Sequence, residues 1–188
     1  LIAWQTVNAV RHPASKHFTR GFLVCAPGLT IKDRLRVLQP NDPDSCASRE
    51  LVPGDMLDDV NHAKIVITNY HVFKLRERID ISKGGRQLLK GRTGEEVQTL
   101  ETEGQMLQRV MPDLMGMKNI LVINDEAHHA WRVPAESKVK GITKDEIEEA
   151  TKWVGGLDRI NQARGILTAY DFSATPFAPS GKKSSEEA

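Results

Sequence analysis

Four short apolar runs limit what this chain can become: Gly21 to Ala26, Lys64 to Asn69, Asn119 to Asn124 and Ile166 to Phe172. Each is rich in Ile, Val or Leu and too short for a helix, which suits strands buried within a parallel sheet. Long intervening segments separate them, so tight hairpins cannot join successive strands. Helical periodicity between them completes an alternating pattern, and the pattern predicts an α/β fold built on a parallel sheet.

All four runs end in polar or turn-forming residues. The ends are Pro27-Gly-Leu-Thr30, Thr68-Asn-Tyr70, Asp125-Glu-Ala-His128 and Ser173-Ala-Thr175. In a parallel sheet these ends share one edge, where open α/β folds place their ligands. The third carries the most pointed chemistry. Asp125 suits a Mg²⁺ ion, which is held through one or two carboxylates together with water and substrate phosphates. Glu126 is placed to orient or deprotonate an attacking water, a role worth about 10²- to 10⁴-fold in rate. Taken alone, two acids at a strand end are more simply solvated charge.

Helix signals lie between the strands. Leu1, Ile2, Trp4, Val7 and Val10 form a loose apolar face that ends before Pro13, and Trp4 is expected in the core. Thr30 is placed to cap a helix through Leu35 and Leu38. A Pro-Gly turn and a short acidic helix precede Val60, and a further helix is expected around Glu103 to Pro112. Thr143-Lys-Asp-Glu146 matches a capping box and opens a helix carrying Ile147, Ala150, Trp153 and Val154. Gly155-Gly156 is expected to interrupt that helix, and Gly165 to cap its end.

Residues 74–118 read as an insertion. Lys74 to Arg92 holds seven basic residues against Glu77 and Asp80, after which four glutamates occur from Glu95 to Glu103. Over the whole chain the net charge is +1, so only local distribution can speak of a partner. Cys25 and Cys46 give no disulfide framework, which favours a reducing cytoplasm. No apolar run approaches a membrane span. The chain opens on Leu1 in mid-helix without a cap, as expected of a piece from a longer protein. Residues 178–188, small and charged, are expected to form a disordered tail.

Asp125-Glu-Ala-His128 after an apolar strand, with Ser173-Ala-Thr175 ending the next, resembles motifs II and III of superfamily 2 helicases of the DEAD/DEAH-box type. Pro27-Gly-Leu-Thr30 resembles motif Ia, and Ile67-Thr-Asn-Tyr-His71 falls where motif Ib belongs. The wording around the motifs is most similar to the restriction (Res) subunits of type III restriction–modification enzymes. Such a resemblance, over residues 1–177, implies part of a RecA-like motor domain, a parallel sheet with helices on both faces. It implies ATP and Mg²⁺ as cofactors, double-stranded DNA as partner, and a separate modification (methyltransferase) subunit. By the same resemblance, Asp125 coordinates Mg²⁺–ATP and Glu126 activates water. His128 couples the ATP site to Ser173, Ala174 and Thr175. Pro27, Gly28, Thr30, Thr68 and Asn69 contact the DNA backbone.

One departure conditions these roles. Helicases of this kind hold ATP phosphates in a loop of the form G-x-x-x-x-G-K-[ST], and this sequence contains none. Gly181-Lys182 is followed by Lys183, and Gly91 by Arg92. The chain begins inside the helix expected after the loop, so the 188 residues alone are expected to be inactive. A rival reading is a catalytically dead nucleic-acid-binding or assembly module that keeps the RecA-like shell. Zinc chemistry is disfavoured because His71, His128, His129 and the cysteines lack ligand spacing. No G-x-G-x-x-G follows a strand, which disfavours a dinucleotide-binding oxidoreductase.

Overall fold

The computed structural model describes residues 1–28, 33–45, 51–76, 100–133 and 143–174. Within them lies an all-parallel four-stranded sheet: β1 (Gly21–Ala26), β2 (Lys64–Asn69), β3 (Ile120–Asp125) and β4 (Ile166–Phe172). Its order is β2-β1-β3-β4. The α/β class expected from the sequence is therefore the one adopted. β1 aligns Gly21 with Lys64 of β2 and Phe22 with Leu121 of β3. β3 aligns Asn124 with Asp171 and Asp125 with Phe172, after an irregularity between Ile120 and Leu121.

Alternation along the central strands divides the interior into two cores. Leu23, Cys25, Ile120 and Val122 face one side, where they meet α3 (Glu103–Val110) and α4 (Lys144–Arg164) through Met106, Leu107, Trp153 and Ile160. Phe22, Val24 and Leu121 face the other, joined by Ile65, Ile67, Leu35, Leu38 and Ile2 of α1 (Ile2–Arg11). A one-turn helix α2 (Leu57–Val60) leads into β2. Both faces of β1 are covered throughout, which explains why its sequence is an unbroken apolar run. Each fully covered Leu, Ile or Phe contributes roughly 1.5–3 kcal/mol. Burial also pushes the Cys25 thiol pKa up, as befits a packing residue.

β4 differs. It lies at the sheet's edge, and its burial falls away along the strand until Tyr170 is 36% and Phe172 51% exposed.

Several local expectations are met. Thr143 and Glu146 form a reciprocal capping box, and Gly165 ends α4 with φ 78°. Thr102 and Gln105 form a second capping box that starts α3. Residues 100–118, read from sequence as part of an insertion, contribute Met106, Met111 and Leu114 to the core.

Two expectations are corrected. Trp4 is 56% exposed and meets Phe18 edge-on at 5.2 Å, because α1 turns Gln5, Thr6 and Val7 inward instead. The helix expected through Leu35 and Leu38 is present where it is described, α-helical at Asp33 and Arg34 and 3-10 over Leu35–Leu38, while Thr30 lies outside the described residues. Gly155-Gly156 does not interrupt α4, which runs unbroken from Lys144 to Arg164. Gly156 instead lets the helix approach Phe73 so closely that a Cβ there would collide with the Phe73 side chain. Tertiary packing, not helix breaking, accounts for that glycine.

The basic 77–99 stretch and residues 178–188 also lie outside the described residues. The two sides of 77–99 are tied together. The Glu101 backbone N–H donates to the Arg76 carbonyl at 2.9 Å, and the Arg76 N–H donates to Glu101 Oε2 at 2.9 Å. Arg109 of α3 forks onto both Glu101 carboxylate oxygens and donates to the Val72 and Lys74 carbonyls at 3.0 and 3.2 Å. Desolvation pushes the Glu101 pKa up, but bonds from Arg109 and the Arg76 backbone outweigh it and hold it below the usual range.

Packing at the paired glycines gives the first testable outcome. In Gly156→Ala, overpacking of about 1–3 kcal/mol outweighs a helix-propensity gain of about 1 kcal/mol, so the protein is destabilised. Gly155 has nothing within 4 Å of its missing Cβ, so Gly155→Ala stabilises. Urea midpoints should rank Gly155→Ala above wild type and wild type above Gly156→Ala. Charge at the clamp gives the second. Glu101 has a depressed folded pKa, so its contribution is present above its unfolded value near 4.3 and is lost as pH falls through the folded value. Arg109→Ala should cost about 2 kcal/mol or more at pH 7, and much less once Glu101 is protonated. Urea titrations at neutral and acid pH measure that difference.

Candidate functional site

Because the strands are parallel, the carboxyl ends of all four lie along one edge of the sheet. β3 delivers Asp125 as its last residue and then turns sharply. Glu126 makes the turn with φ 53° and ψ 46°, in the left-handed region, and a 3-10 turn over Ala127–His129 comes next. A non-glycine residue held in this region costs on the order of 1 kcal/mol, and such strain clusters where a side chain is being aimed. Reversing the chain at Glu126 brings His128 back toward the end of β4. His128 Nδ1 stands 2.9 Å from Ser173 Oγ and 3.4 Å from Glu126 Oε2.

Asp125, Glu126, His128 and Ser173 therefore gather around one turn. Asp125 and His128 are partly buried, and the Glu126 side chain is 42% exposed, so an acid, its neighbour and an imidazole all reach solvent. The His128 and His129 rings lie 4.2 Å apart, and His129 Nδ1 is 3.5 Å from Glu149 of α4. Glu149 also faces Tyr70, whose hydroxyl pKa is pushed up to about 12 by burial and by that carboxylate.

The DNA-contact residues implied by the resemblance lie along the same edge, farther toward β2. Pro27 and Gly28 continue β1 and are partly buried, while Ala26 aligns with Asn69. Thr68 and Asn69 are covered, at 7% and 6% exposure, and Asn69 Oδ1 has no hydrogen-bond partner among the described residues. Ala174 is exposed, whereas Thr30 and Thr175 lie outside the described residues.

Among the described residues no three His, Cys, Asp or Glu side chains converge to hold a metal. Asp125 and Glu126 offer carboxylate oxygens, the donor type hard cations take, and two carboxylates alone would leave most of such a cation's shell to other ligands.

Residues that sequence reasoning overlooked complete the edge. Asn124, only 3% exposed, interrupts the apolar run of β3, and Trp153 and Asp171 bond to it. A lone amide inside an otherwise apolar buried strand was the available signal, since buried polar groups require partners.

No family model, no curated protein and no solved structure matches this chain. No helix among the described residues is long and apolar enough to cross a membrane.

The left-handed turn makes a prediction about Glu126. Glycine ordinarily costs about 0.5–1 kcal/mol relative to alanine, but at φ 53° the order reverses. Glu126→Gly should be more stable than Glu126→Ala by about 1 kcal/mol in denaturant titration.

Proposed function

We propose that this chain forms one wall of a Mg²⁺–ATP hydrolysis site in a motor that moves along DNA, of the superfamily 2 helicase kind. The observation that carries the reading is the join at His128. One imidazole touches the carboxylate placed to activate water and the hydroxyl that ends the neighbouring strand. Asp125 would hold the metal that accompanies the nucleotide, and that metal would supply charge neutralisation at the phosphates. Glu126, aimed by its strained backbone and open to solvent, would orient and deprotonate water. A change at the phosphates then has a short path through His128 to Ser173 and β4.

Connectivity among the described strands has the handedness expected of a parallel α/β sheet. The connection from β1 to β2 packs Leu35 and Leu38 on one face, and those from β2 to β3 and β3 to β4 run through α3 and α4 on the other. Leftward steps thus cross one face and rightward steps the opposite face, which is one consistent hand. α1 lies on the face used for leftward steps and leads into β1.

The wider assignment is the DNA-cleaving subunit of a type III-like restriction enzyme, with double-stranded DNA as track and a methyltransferase subunit as partner. It draws its support from the motif wording at residues 23–35, 65–71 and 122–129.

The 188 residues alone should show no DNA-stimulated ATP turnover. In a longer protein that also supplies a G-x-x-x-x-G-K-[ST] loop and, as in superfamily 2 helicases, a second motor domain with an arginine for the transferred phosphate, the chain should turn over ATP. Glu126→Gln in that longer protein should reduce the rate by about 10²- to 10⁴-fold while nucleotide still binds. Equal turnover in Glu126→Gln would overturn the reading. Salt-dependent DNA binding by the longer protein without nucleotide binding would favour the catalytically dead module instead.

A further inference from the structure

Asn124 is almost fully buried in a strand whose other covered positions are apolar, and both ends of its amide are engaged. Trp153 Nε1–H of α4 donates to Asn124 Oδ1 at 3.1 Å. Asn124 Nδ2–H donates to Asp171 Oδ1 of β4 at 2.7 Å. An indole nitrogen can only donate, so Trp153 fixes the amide with its oxygen toward α4 and its NH₂ toward β4. The amide is therefore a directed link rather than a freely turning one. Trp153 is itself fully covered and stacks on Tyr70 at 5.4 Å and 9°, which leaves the donor little freedom.

The link lies one rung before the site. Asn124 precedes Asp125, and Asp171 stands two residues before Ser173. β4 is the exposed edge strand, with few buried side chains to fix its carboxyl end. Backbone pairing aligns Asn124 with Asp171 and Asp125 with Phe172, and the charge-assisted hydrogen bond from the buried amide adds a directed side-chain tie at that end.

We propose that Asn124 is a positioning residue: held by Trp153, it pins Asp171 and so keeps Ser173 within reach of His128. Its consequence for hydrolysis rests on the Mg²⁺–ATP reading, but the positioning itself does not.

The test tracks the His128 ring resonances of the isotopically labelled chain by NMR, with no nucleotide present. Ser173→Ala sets the shift that accompanies loss of the His128–Ser173 contact. Asp171→Ala alters an exposed position and should leave the fold intact; it should move the ring resonances in the same direction as Ser173→Ala. Asn124→Leu, if it folds, should do likewise. Asp171→Asn keeps an acceptor for the Asn124 amide and should retain the wild-type positions. Three results overturn the proposal: wild-type His128 resonances in Asp171→Ala, an equal displacement in Asp171→Asn, or no response to Ser173→Ala. Nucleotide plays no part in the measurement, so its outcome is separate from that of Glu126→Gln.

Discussion

The parallel pairing of β1 with β3 is the constraint on which the rest depends. Both strands are covered on both faces over most of their length, and their side chains alternate between two separate cores. Removing apolar surface from water on two sides at once makes these strands the least replaceable part of the molecule. It also fixes direction: since every partner runs parallel, every strand delivers its carboxyl end to one edge. The edge becomes a site because the cores leave the chain no other way to run.

The two outer strands meet that constraint differently. β2 buries Ile65, Ile67, Thr68 and Asn69, and the segment after its carboxyl end is secured by the Arg109–Glu101 clamp and by Phe73 packing against Gly156. β4 has an exposed outer side, and beyond its backbone pairing with β3 its end is tied by polar side-chain links, from Asn124 to Asp171 and from His128 to Ser173. Polar links are directional and individually modest, about 1.5–3 kcal/mol where a charge takes part. If the edge hydrolyses ATP, β4 is the strand best suited to answer a change at the phosphates.

α4 joins the parts. Its Trp153 stacks on Tyr70 beyond β2 and bonds to Asn124 of β3, while Glu149 lies between Tyr70 and His129. One rigid helix thus touches the ends of strands that bear different chemistry. Coupling between sites needs such contiguous, packed contacts.

Sequence alone determined the class of fold, the four strands and the residues gathered at their ends, because period, length and terminal polarity are local properties. Thr143 and Glu146 announced their capping box for the same reason. Tertiary structure decided what depends on neighbours remote in sequence. Whether Gly156 breaks a helix or admits Phe73 is settled by a residue 83 positions away, and the exposure of Trp4 by which face of α1 meets the sheet. Local pattern gave Asp125 and Glu126 as candidates, but their relation to Ser173 required the order β2-β1-β3-β4 and the left-handed turn at Glu126. Asn124 shows the limit most plainly. Its type marked it as unusual within an apolar run, while its two partners lie 29 and 47 residues away and only folding brings them within a hydrogen bond.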